Sequence, residues 1–243
     1  MMEPVLSAEV MDAARGAQRV AVLTGAGVSA ESGIPTFRGA GGLWKDHRPE
    51  ELATPEAFAE DPKLVWEWYD WRRSLIAAAI PNPGHRALAE WERSIPEFTL
   101  ITQNVDGLHH LAGSRRLVEL HGNIWRTRCG GCGRMDEDRR VPLPEHPPHC
   151  STCRGLLRPD VIWFGESLDP DVLTTATEAS NRCDLFLVAG TSGVVEPAAS
   201  LARLALQSGA TVIEVNPDRT SLSAIAHHSL AGRSGDILPR LIA

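Results

Sequence analysis

Five short apolar runs are the feature of the sequence that most constrains its fold. Each run has the length of a β-strand and lacks the polar alternation of a strand with one face in water. Runs of this kind are typical of parallel strands that helices cover on both faces. The pattern therefore predicts a doubly wound α/β core, with strands at residues 20–24, 98–102, 117–120, 185–189 and 211–215.

Helical patterns lie between or beside the predicted strands. They span residues 7–15, 63–79, 85–93, 170–180 and 197–208. Two stretches break the alternation, because residues 39–97 are Trp-rich and mainly helical, whereas residues 124–157 are rich in Cys, Gly and Pro with little periodicity. We predict a sheet core from residues 1–38, 98–123 and 158–243, and a small domain assembled from the two insertions.

The charge and hydropathy of the chain favour some classes of protein over others. The net charge of -7 argues against a protein that binds nucleic-acid backbones, because such affinity depends largely on clustered Lys and Arg. No apolar run reaches the length of a membrane span. The N-terminal residues lack the basic and apolar regions of a signal peptide. We therefore expect a soluble, cytoplasmic protein without a membrane partner, and the sequence leaves its oligomeric state open.

A glycine-rich turn, Gly25–Ala30, directly follows the first predicted strand. Glycines without Cβ atoms let the backbone approach a pyrophosphate, and a helix N-terminus supplies amide donors. The third glycine of the dinucleotide-binding pattern is replaced by Ala30, which is still small. A tight turn without any ligand would give the same pattern. Arg38 favours the dinucleotide interpretation, because a guanidinium can bind phosphate bidentately.

Polar residues follow the next two predicted strands. Gln103, Asn104 and Asp106 come directly after the second strand, and His121 follows the third. Ligands of open α/β sheets gather at the carboxyl ends of strands, so these side chains are expected at one crevice. An Asx-type turn would explain Asp106 alone but not its neighbours. The unperturbed pKa of histidine suits a general base, although a single histidine is more often structural.

Four of the five cysteines form two Cys-x-x-Cys pairs that enclose seventeen residues. This spacing matches tetrahedral zinc sites. Four thiolates fill the coordination sphere, so the predicted zinc ion is structural, with Cys129, Cys132, Cys150 and Cys153 as ligands. Cys183 stands beside an apolar strand, and we expect it to be a buried, inert thiol.

Small and polar residues also follow the fourth and fifth predicted strands. They could hold ribose hydroxyls and phosphates, although each segment alone would be an ordinary loop. The residues are Gly190, Thr191 and Ser192 after the fourth strand, and Asn216, Pro217 and Asp218 after the fifth.

Taken together and in this order, the motifs resemble those of the sirtuins over nearly the whole chain. The glycine-rich turn continuing to Pro35, the segment Thr102–His109, His121-Gly122, the Cys pairs and the Gly190–Ser192 turn carry the resemblance. It implies a Rossmann-like NAD-binding core with a small zinc-binding and helical domain, and a substrate cleft between them. It also implies NAD-dependent removal of acyl groups from lysines of proteins or peptides, giving nicotinamide, O-acyl-ADP-ribose and free lysine.

The resemblance assigns roles to individual residues. His121 is implied to be the general base and Asn104 to order the ribose and nearby water. Backbone pairing with the substrate is implied for Val161, Phe164, Gly165, Glu166 and Val195, although Glu196 stands where family members often carry an aromatic residue. The residues implied to surround NAD are Gly25, Ala26, Gly27, Ser29, Ala30, Thr36, Phe37, Arg38, Trp44, Gln103, Asn104, Val105, Asp106, Gly190, Thr191, Ser192, Asn216, Pro217, Asp218 and Ser234.

The helix predicted at residues 63–79 carries a candidate receptor for the acyl group. Three- and four-residue spacing places Tyr69 on one face with both Arg72 and Arg73, so periodicity does not choose between the two arginines. A surface arginine and a core tyrosine would give the same spacing. The segment resembles the sirtuin subclass that removes succinyl and malonyl groups, and this resemblance selects Tyr69 and Arg72. Thr36 and the small Ala53 are compatible with it.

Three alternatives remain open at this point. The protein could be predominantly a deacetylase. It could be a zinc-containing nicotinamide dehydrogenase, for which the acidic ribose ligand would be Asp46, although no strand precedes that residue. It could also be a non-catalytic module that senses NAD or ADP-ribose, but the presence of His121 favours catalysis.

Overall fold

The computed structural model describes residues 6–36 and 48–243. The helices of this part of the chain are α1 (Ala8–Gly16), α2 (Ala26–Ala30), α3 (Pro49–Leu52), α4 (Pro55–Glu60), α5 (Pro62–Ala77), α6 (Pro83–Ser94), α7 (Leu108–Ala112), α8 (Pro170–Arg182), α9 (Ala198–Gln207) and α10 (Ser234–Leu241). The strands are β1 (Arg19–Thr24), β2 (Glu97–Thr102), β3 (Leu117–Glu119), β4 (Gly122–Cys129), β5 (Met135–Glu137), β6 (Leu157–Val161), β7 (Leu185–Ala189), β8 (Thr211–Asn216) and β9 (His228–Ala231). None of these helices has the length and apolarity needed to cross a membrane.

Six strands form the parallel sheet of the core, in the order β3-β2-β1-β7-β8-β9. β1 lies at the centre, where Val20 is opposite Phe98 of β2 and Leu185 of β7. The chain therefore moves outward from β1 in one direction and then, after the insertions, in the other. This is the doubly wound arrangement that the apolar runs predict, and the fold class is confirmed.

Helices cover both faces of this sheet, which explains why its strands lack polar alternation. On one face Val22 and Leu187 pack in a cluster with residues of α1, α6 and α10. On the other face Leu23 and Phe186 pack with residues of α8 and α9. Successive residues of a strand point to opposite faces, so a strand buried on both sides needs apolar residues at every position.

A second sheet of three antiparallel strands, in the order β5-β4-β6, forms part of the small domain. The aromatic helix α5 packs on it, because Trp66, Trp68 and Tyr69 share a buried cluster with Ile124 and Trp125 of β4. Trp66 Nε1 also donates a hydrogen bond to the carbonyl of Leu157 in β6. The periodicity of residues 124–157 does not predict these strands, since all three residues of β5 are exposed and the five buried residues among the eight of β4 do not alternate regularly with exposed ones.

Two segments pack differently from the division expected from the sequence. Helix α6 lies within residues 39–97, yet its Leu88 and Trp91 pack against the core with Ile237 of α10. β6 lies mostly within residues 158–243, yet it pairs with β4 of the small sheet. By these contacts α6 packs with the parallel sheet and β6 belongs to the small sheet.

The sequence patterns also leave out the last two elements of the core, β9 and α10. β9 has four residues and is at most half-buried, so it lacks the continuous apolar pattern of the inner strands. Helix α10 contains Pro239, which is unfavourable inside a helix, yet it buries Ile237, Leu238 and Leu241. Tertiary burial outweighs the local preference here.

Candidate active site

A cleft of about 830 Å³ lies at the carboxyl ends of the core strands and extends to the small domain. This is where ligands of open α/β sheets bind. Predicted site residues of the core that line the cleft are Gly25, Ala26, Gly27, Gln103, Asn104, Val105, His121, Gly190, Thr191, Ser192, Asn216 and Asp218. Predicted residues beyond the core strands that line it are Thr36, Tyr69, Arg72, Val161, Phe164, Gly165, Glu166 and Val195.

The glycine-rich turn is held against the loop that follows β7. A Cβ atom added to Gly25 would lie 2.7 Å from Thr191 Cβ, and one added to Gly27 would lie 2.7 Å from the carbonyl oxygen of Gly190. The amide of Gly27 donates a hydrogen bond to that oxygen at 2.8 Å. These glycines are therefore required by the close approach of two protein loops. The sequence suggested either a pyrophosphate or a tight turn without a ligand, and it did not indicate the loop after β7 as the neighbour of these glycines.

Asn104 is fixed in the cleft by its own amide group. Its Nδ2 donates to the carbonyl of Gly25 at 3.1 Å and to Ser29 Oγ at 3.2 Å. Its backbone N–H donates to Thr102 Oγ1 at 3.1 Å. Because Nδ2 carries both donors of the side chain, the amide flip is determined, and Oδ1 is the remaining acceptor.

Ser29 and Asp106 lie behind Asn104 and are buried. Ser29 Oγ donates to Asp106 Oδ2 at 2.7 Å, and the amide of Leu108 donates to Asp106 Oδ1 at 2.8 Å. Burial raises the pKa of Asp106 above its usual value. Five predicted residues do not line the described cleft, namely Ser29, Ala30, Asp106, Pro217 and Ser234. Ser29 nevertheless holds Asn104 in place by accepting a hydrogen bond from its Nδ2.

His121 lines the cleft with one ring nitrogen already engaged. Its Nδ1 lies 3.0 Å from the backbone carbonyl oxygen of Gln103. A carbonyl oxygen accepts but does not donate, so Nδ1 carries the proton and Nε2 presents a lone pair. Burial lowers the pKa of His121, which keeps the imidazole neutral at neutral pH. This is the protonation state that a general base requires.

The two candidate arginines of α5 occupy different environments. Arg72 lines the cleft, with its guanidinium carbon 5.0 Å from the centre of the Trp68 ring. Arg73 is 0% exposed, and it donates hydrogen bonds to the backbone carbonyls of Asp138 and Arg140. Tyr69 lines the cleft beside Arg72. The structure therefore separates the two arginines that helical spacing leaves equivalent.

The four paired cysteines form a compact cluster. Their sulfurs lie within 4.8 Å of one another, with Cys129 3.4 Å from Cys153 and Cys132 3.8 Å from Cys150. Four sulfurs each about 2.3 Å from a zinc ion would be about 3.8 Å apart, so the cluster fits a tetrahedral metal. The site fits a structural zinc ion.

Some functional candidates were missed by sequence reasoning. Trp163 lines the cleft and donates a hydrogen bond from Nε1 to Tyr69 Oη at 2.9 Å. His85 and His109 are buried, with ring centres 4.8 Å apart, and His85 Nε2 lies 3.3 Å from Ser29 Oγ. A buried tryptophan usually needs an acceptor for its N–H, but a sequence does not say which one. Phe37, Arg38, Trp44 and Asp46 lie outside the described residues.

Comparison with known proteins finds one matching family model and relatives that share more than half of their aligned residues with this chain. Residues 25–197 match the model of the Sir2 family. An NAD-dependent protein deacylase of Aquifex aeolicus is 60% identical over 207 residues, which cover 85% of this chain and 87% of that protein. An NAD-dependent protein deacylase 2 of Pyrobaculum aerophilum is 53% identical over 236 residues, covering 96% and 93% of the two chains.

Solved structures of Sir2 proteins are also similar to this chain. The crystal structure of a Sir2 homolog–NAD complex superposes with a TM-score of 0.94 at 48% identity, covering 100% of this chain and 94% of that one. A complex of Sir2 with a p53 peptide and NAD+ superposes with a TM-score of 0.89 at 31% identity, covering 98% of each chain. The match extends over both the core and the small domain.

Proposed function

The chain belongs to the Sir2 family, whose members similar to it are NAD-dependent protein deacylases, and on this premise we propose that it removes acidic acyl groups from protein lysines. Succinyl and malonyl groups are the proposed preferred substrates, with acetyl as a weaker or parallel one. The products are nicotinamide, O-acyl-ADP-ribose and the free lysine.

One observation carries the preference for acidic acyl groups. Arg72 and Tyr69 line the same cleft as His121, so a cation and a phenol border the space that leads to the candidate base. A guanidinium with a neighbouring hydroxyl can hold a carboxylate through charge-assisted hydrogen bonds. Ala53 lines the cleft as well, and its small side chain leaves room for a longer acyl chain.

The residues of the cleft suit the binding of NAD. The loops after β1, β2, β7 and β8 converge on one side, and they present backbone and small polar groups such as Thr191 and Asn216. Asn216 is held in place because its Nδ2 donates to the carbonyl of Thr191 at 2.8 Å. When bound, NAD supplies an electrophilic ribose carbon from which nicotinamide departs. We assign these loops to the dinucleotide.

His121 is the proposed general base. Its Nε2 lone pair would take a proton from a ribose hydroxyl, and the Gln103 carbonyl would stabilise the resulting imidazolium through Nδ1–H. Asn104 would orient the ribose and nearby water through Oδ1. The backbone of residues 161–166 and of Val195 would hold the peptide, since strand-like pairing tolerates many side chains.

A panel of acyl-lysine peptides with one flanking sequence tests the proposal. Acetyl-, malonyl-, succinyl- and glutaryl-lysine peptides are incubated with NAD, and nicotinamide and the deacylated peptide are quantified. We expect peptide-dependent nicotinamide release, with a larger kcat/KM for succinyl or malonyl than for acetyl. A larger value for acetyl would identify a deacetylase. Formation of neither nicotinamide nor reduced cofactor would leave the non-catalytic sensing module, and reduced cofactor would indicate a dehydrogenase.

A further inference from the structure

The hydroxyl of Tyr69 is engaged on its acceptor side. Trp163 Nε1 donates a hydrogen bond to Tyr69 Oη at 2.9 Å. Tyr69 is 1% exposed and Trp163 is 3% exposed, so water does not compete for this bond. An indole N–H is a donor only, and it therefore occupies a lone pair of the phenol oxygen. The O–H proton of Tyr69 must point away from Trp163.

Tyr69 keeps this proton at any physiological pH. Burial raises its pKa to about 12, although the charge of Arg72 opposes the shift. The hydroxyl is consequently a neutral donor. Among the described residues Trp163 is its hydrogen-bonding partner, and Tyr69 borders the cleft together with Arg72.

Trp163 is itself held firmly in place. The guanidinium carbon of Arg158 lies 3.5 Å from the centre of its ring, which is a close cation–π stack. Arg158 also forms a bidentate pair with Glu166, at 2.5 and 2.9 Å. Glu166 Oε2 in turn accepts the backbone N–H of Trp163 at 2.8 Å. Both the ring and the backbone of Trp163 are therefore fixed.

We propose that Trp163 is a specificity-positioning residue, which holds the Tyr69 hydroxyl as a donor directed at the carboxylate of an acidic acyl group beside Arg72. This inference rests on the proposed function. Without the indole N–H, the Tyr69 hydroxyl could rotate before the substrate binds, so directing its O–H at the carboxylate would cost conformational freedom that the wild-type protein does not lose on binding. An acetyl group carries no carboxylate, so its recognition does not depend on the direction of this hydroxyl.

A double-mutant cycle between Trp163 and Tyr69 tests the proposal. The measured quantity is the ratio of kcat/KM for succinyl-lysine peptide to kcat/KM for acetyl-lysine peptide, in wild type, Trp163→Phe, Tyr69→Phe and the double variant. We expect Trp163→Phe to lower this ratio about 3- to 10-fold, the size of one neutral hydrogen bond. In the Tyr69→Phe background the same change should leave the ratio unaltered.

Each outcome has one meaning. An equal fall of the ratio in both backgrounds, or no fall in the wild-type background, overturns the role of Trp163 while leaving the acidic preference intact. A wild-type enzyme that does not act on succinyl-lysine rejects the proposed substrate class, and with it this role. If Trp163→Phe lowers the melting temperature too far for assay, replacing the indole by benzothiophene at position 163 removes the N–H alone and gives the same cycle.

Discussion

Arg72 and Arg73 are adjacent in α5, yet Arg72 lines the cleft and Arg73 is buried with its guanidinium carbon 5.2 Å from the centre of the Trp125 ring. The α-helix turns by about 100° per residue, so neighbouring side chains leave it in different directions. Arg73 lies 3.7 Å from the carboxylate of Asp138, and it connects α5 to the zinc-binding module. The two residues give a matched pair of tests.

Arg72→Met should reduce turnover of succinyl-lysine peptide much more than turnover of acetyl-lysine peptide. In the proposed function the guanidinium bonds the carboxylate of the succinyl group, which an acetyl group lacks. Such charge-assisted bonds contribute about 1.5–3 kcal/mol, or about 10- to 150-fold in kcat/KM. Steady-state kinetics with both peptides checks the prediction. Equal losses on the two substrates would reject the role of Arg72.

Arg73→Met is the control for this experiment. It removes a buried cation and leaves the carbonyls of Asp138 and Arg140 without their donor, so we expect a lower melting temperature. The ratio of succinyl to acetyl kcat/KM should stay near the wild-type value. A changed ratio would mean that the selectivity reflects the packing of α5 and not a contact with the acyl group.

His121→Ala should lower kcat/KM by about 10²- to 10⁴-fold on every acyl peptide, the usual contribution of a general base. Binding of ADP-ribose, measured by calorimetry, should persist, because the loops after β1, β7 and β8 are unchanged. Undiminished peptide-dependent cleavage of NAD would show that the proposed chemistry is wrong.

The pH profile of the wild-type enzyme provides a second measurement on His121. Burial lowers its pKa below the ordinary value of 6.5, so the neutral base persists to lower pH than for an exposed histidine. Activity should therefore be constant at neutral pH and fall as the pH decreases through a midpoint below 6.5. A midpoint above that value would contradict the assignment.

Gly27→Ala should destabilise the fold and weaken NAD binding together. The added Cβ would meet Gly190 backbone atoms at 2.7 and 2.8 Å, and neither loop has a flexible side chain there that could move aside. Overpacking of this kind costs about 1–3 kcal/mol. Gly16→Ala is the control, because nothing lies within 4 Å of its added Cβ. Denaturant titration and the KM for NAD should change in the first variant and not in the second.

The parts of the fold that follow from the sequence are those in which a local pattern reports burial directly. Val20–Thr24 is apolar at every position but its last because helices cover both of its faces, and this is visible without coordinates. The Cys pairs likewise carry their chemistry in their spacing. β9 is not visible in this way, since it is an edge strand with alternating burial and only four residues.

The parts of the site that do not follow from the sequence depend on distant contacts. Tyr69 and Trp163 are 94 positions apart, and nothing in either segment indicates that an indole N–H meets a phenol oxygen. The glycine turn shows the same limit, because Gly190 is the neighbour that excludes a Cβ at Gly27. Local chemistry predicts which groups can react, while tertiary contacts decide how they are oriented.

Cys150→Ser should remove the metal and unfold the small domain first. Four thiolates complete the coordination of a structural zinc ion, so losing one leaves the site open. We expect a lower zinc content by atomic absorption and a lower melting temperature. Cys183→Ser is the control, since Cys183 is buried in the core cluster beside α8 and α9 and is remote in sequence from the Cys pairs. Its zinc content should equal that of the wild type.

The buried histidines His85 and His109 should make the fold sensitive to acid. Burial lowers the pKa of His85 from 6.5 to about 4 and that of His109 well below 6.5. Below pH 6.5 the unfolded chain therefore binds protons that the folded chain excludes, and stability decreases as the pH falls toward 4. Each group contributes a slope of about 1.4 kcal/mol per pH unit in this window.

His85→Gln isolates this contribution from those of the carboxylates and the zinc ligands. The free energy of unfolding is measured by denaturant titration for both proteins at about pH 7, about pH 6 and about pH 5. The variant should be less stable than the wild type at pH 7, because it loses the contacts of His85 with Asn82 and Ser29. Its loss of stability per pH unit should be smaller by about 1.4 kcal/mol, since one fewer group takes up a proton on unfolding. Parallel curves for the two proteins would mean that His85 is protonated in the folded state over the same range as in the unfolded chain.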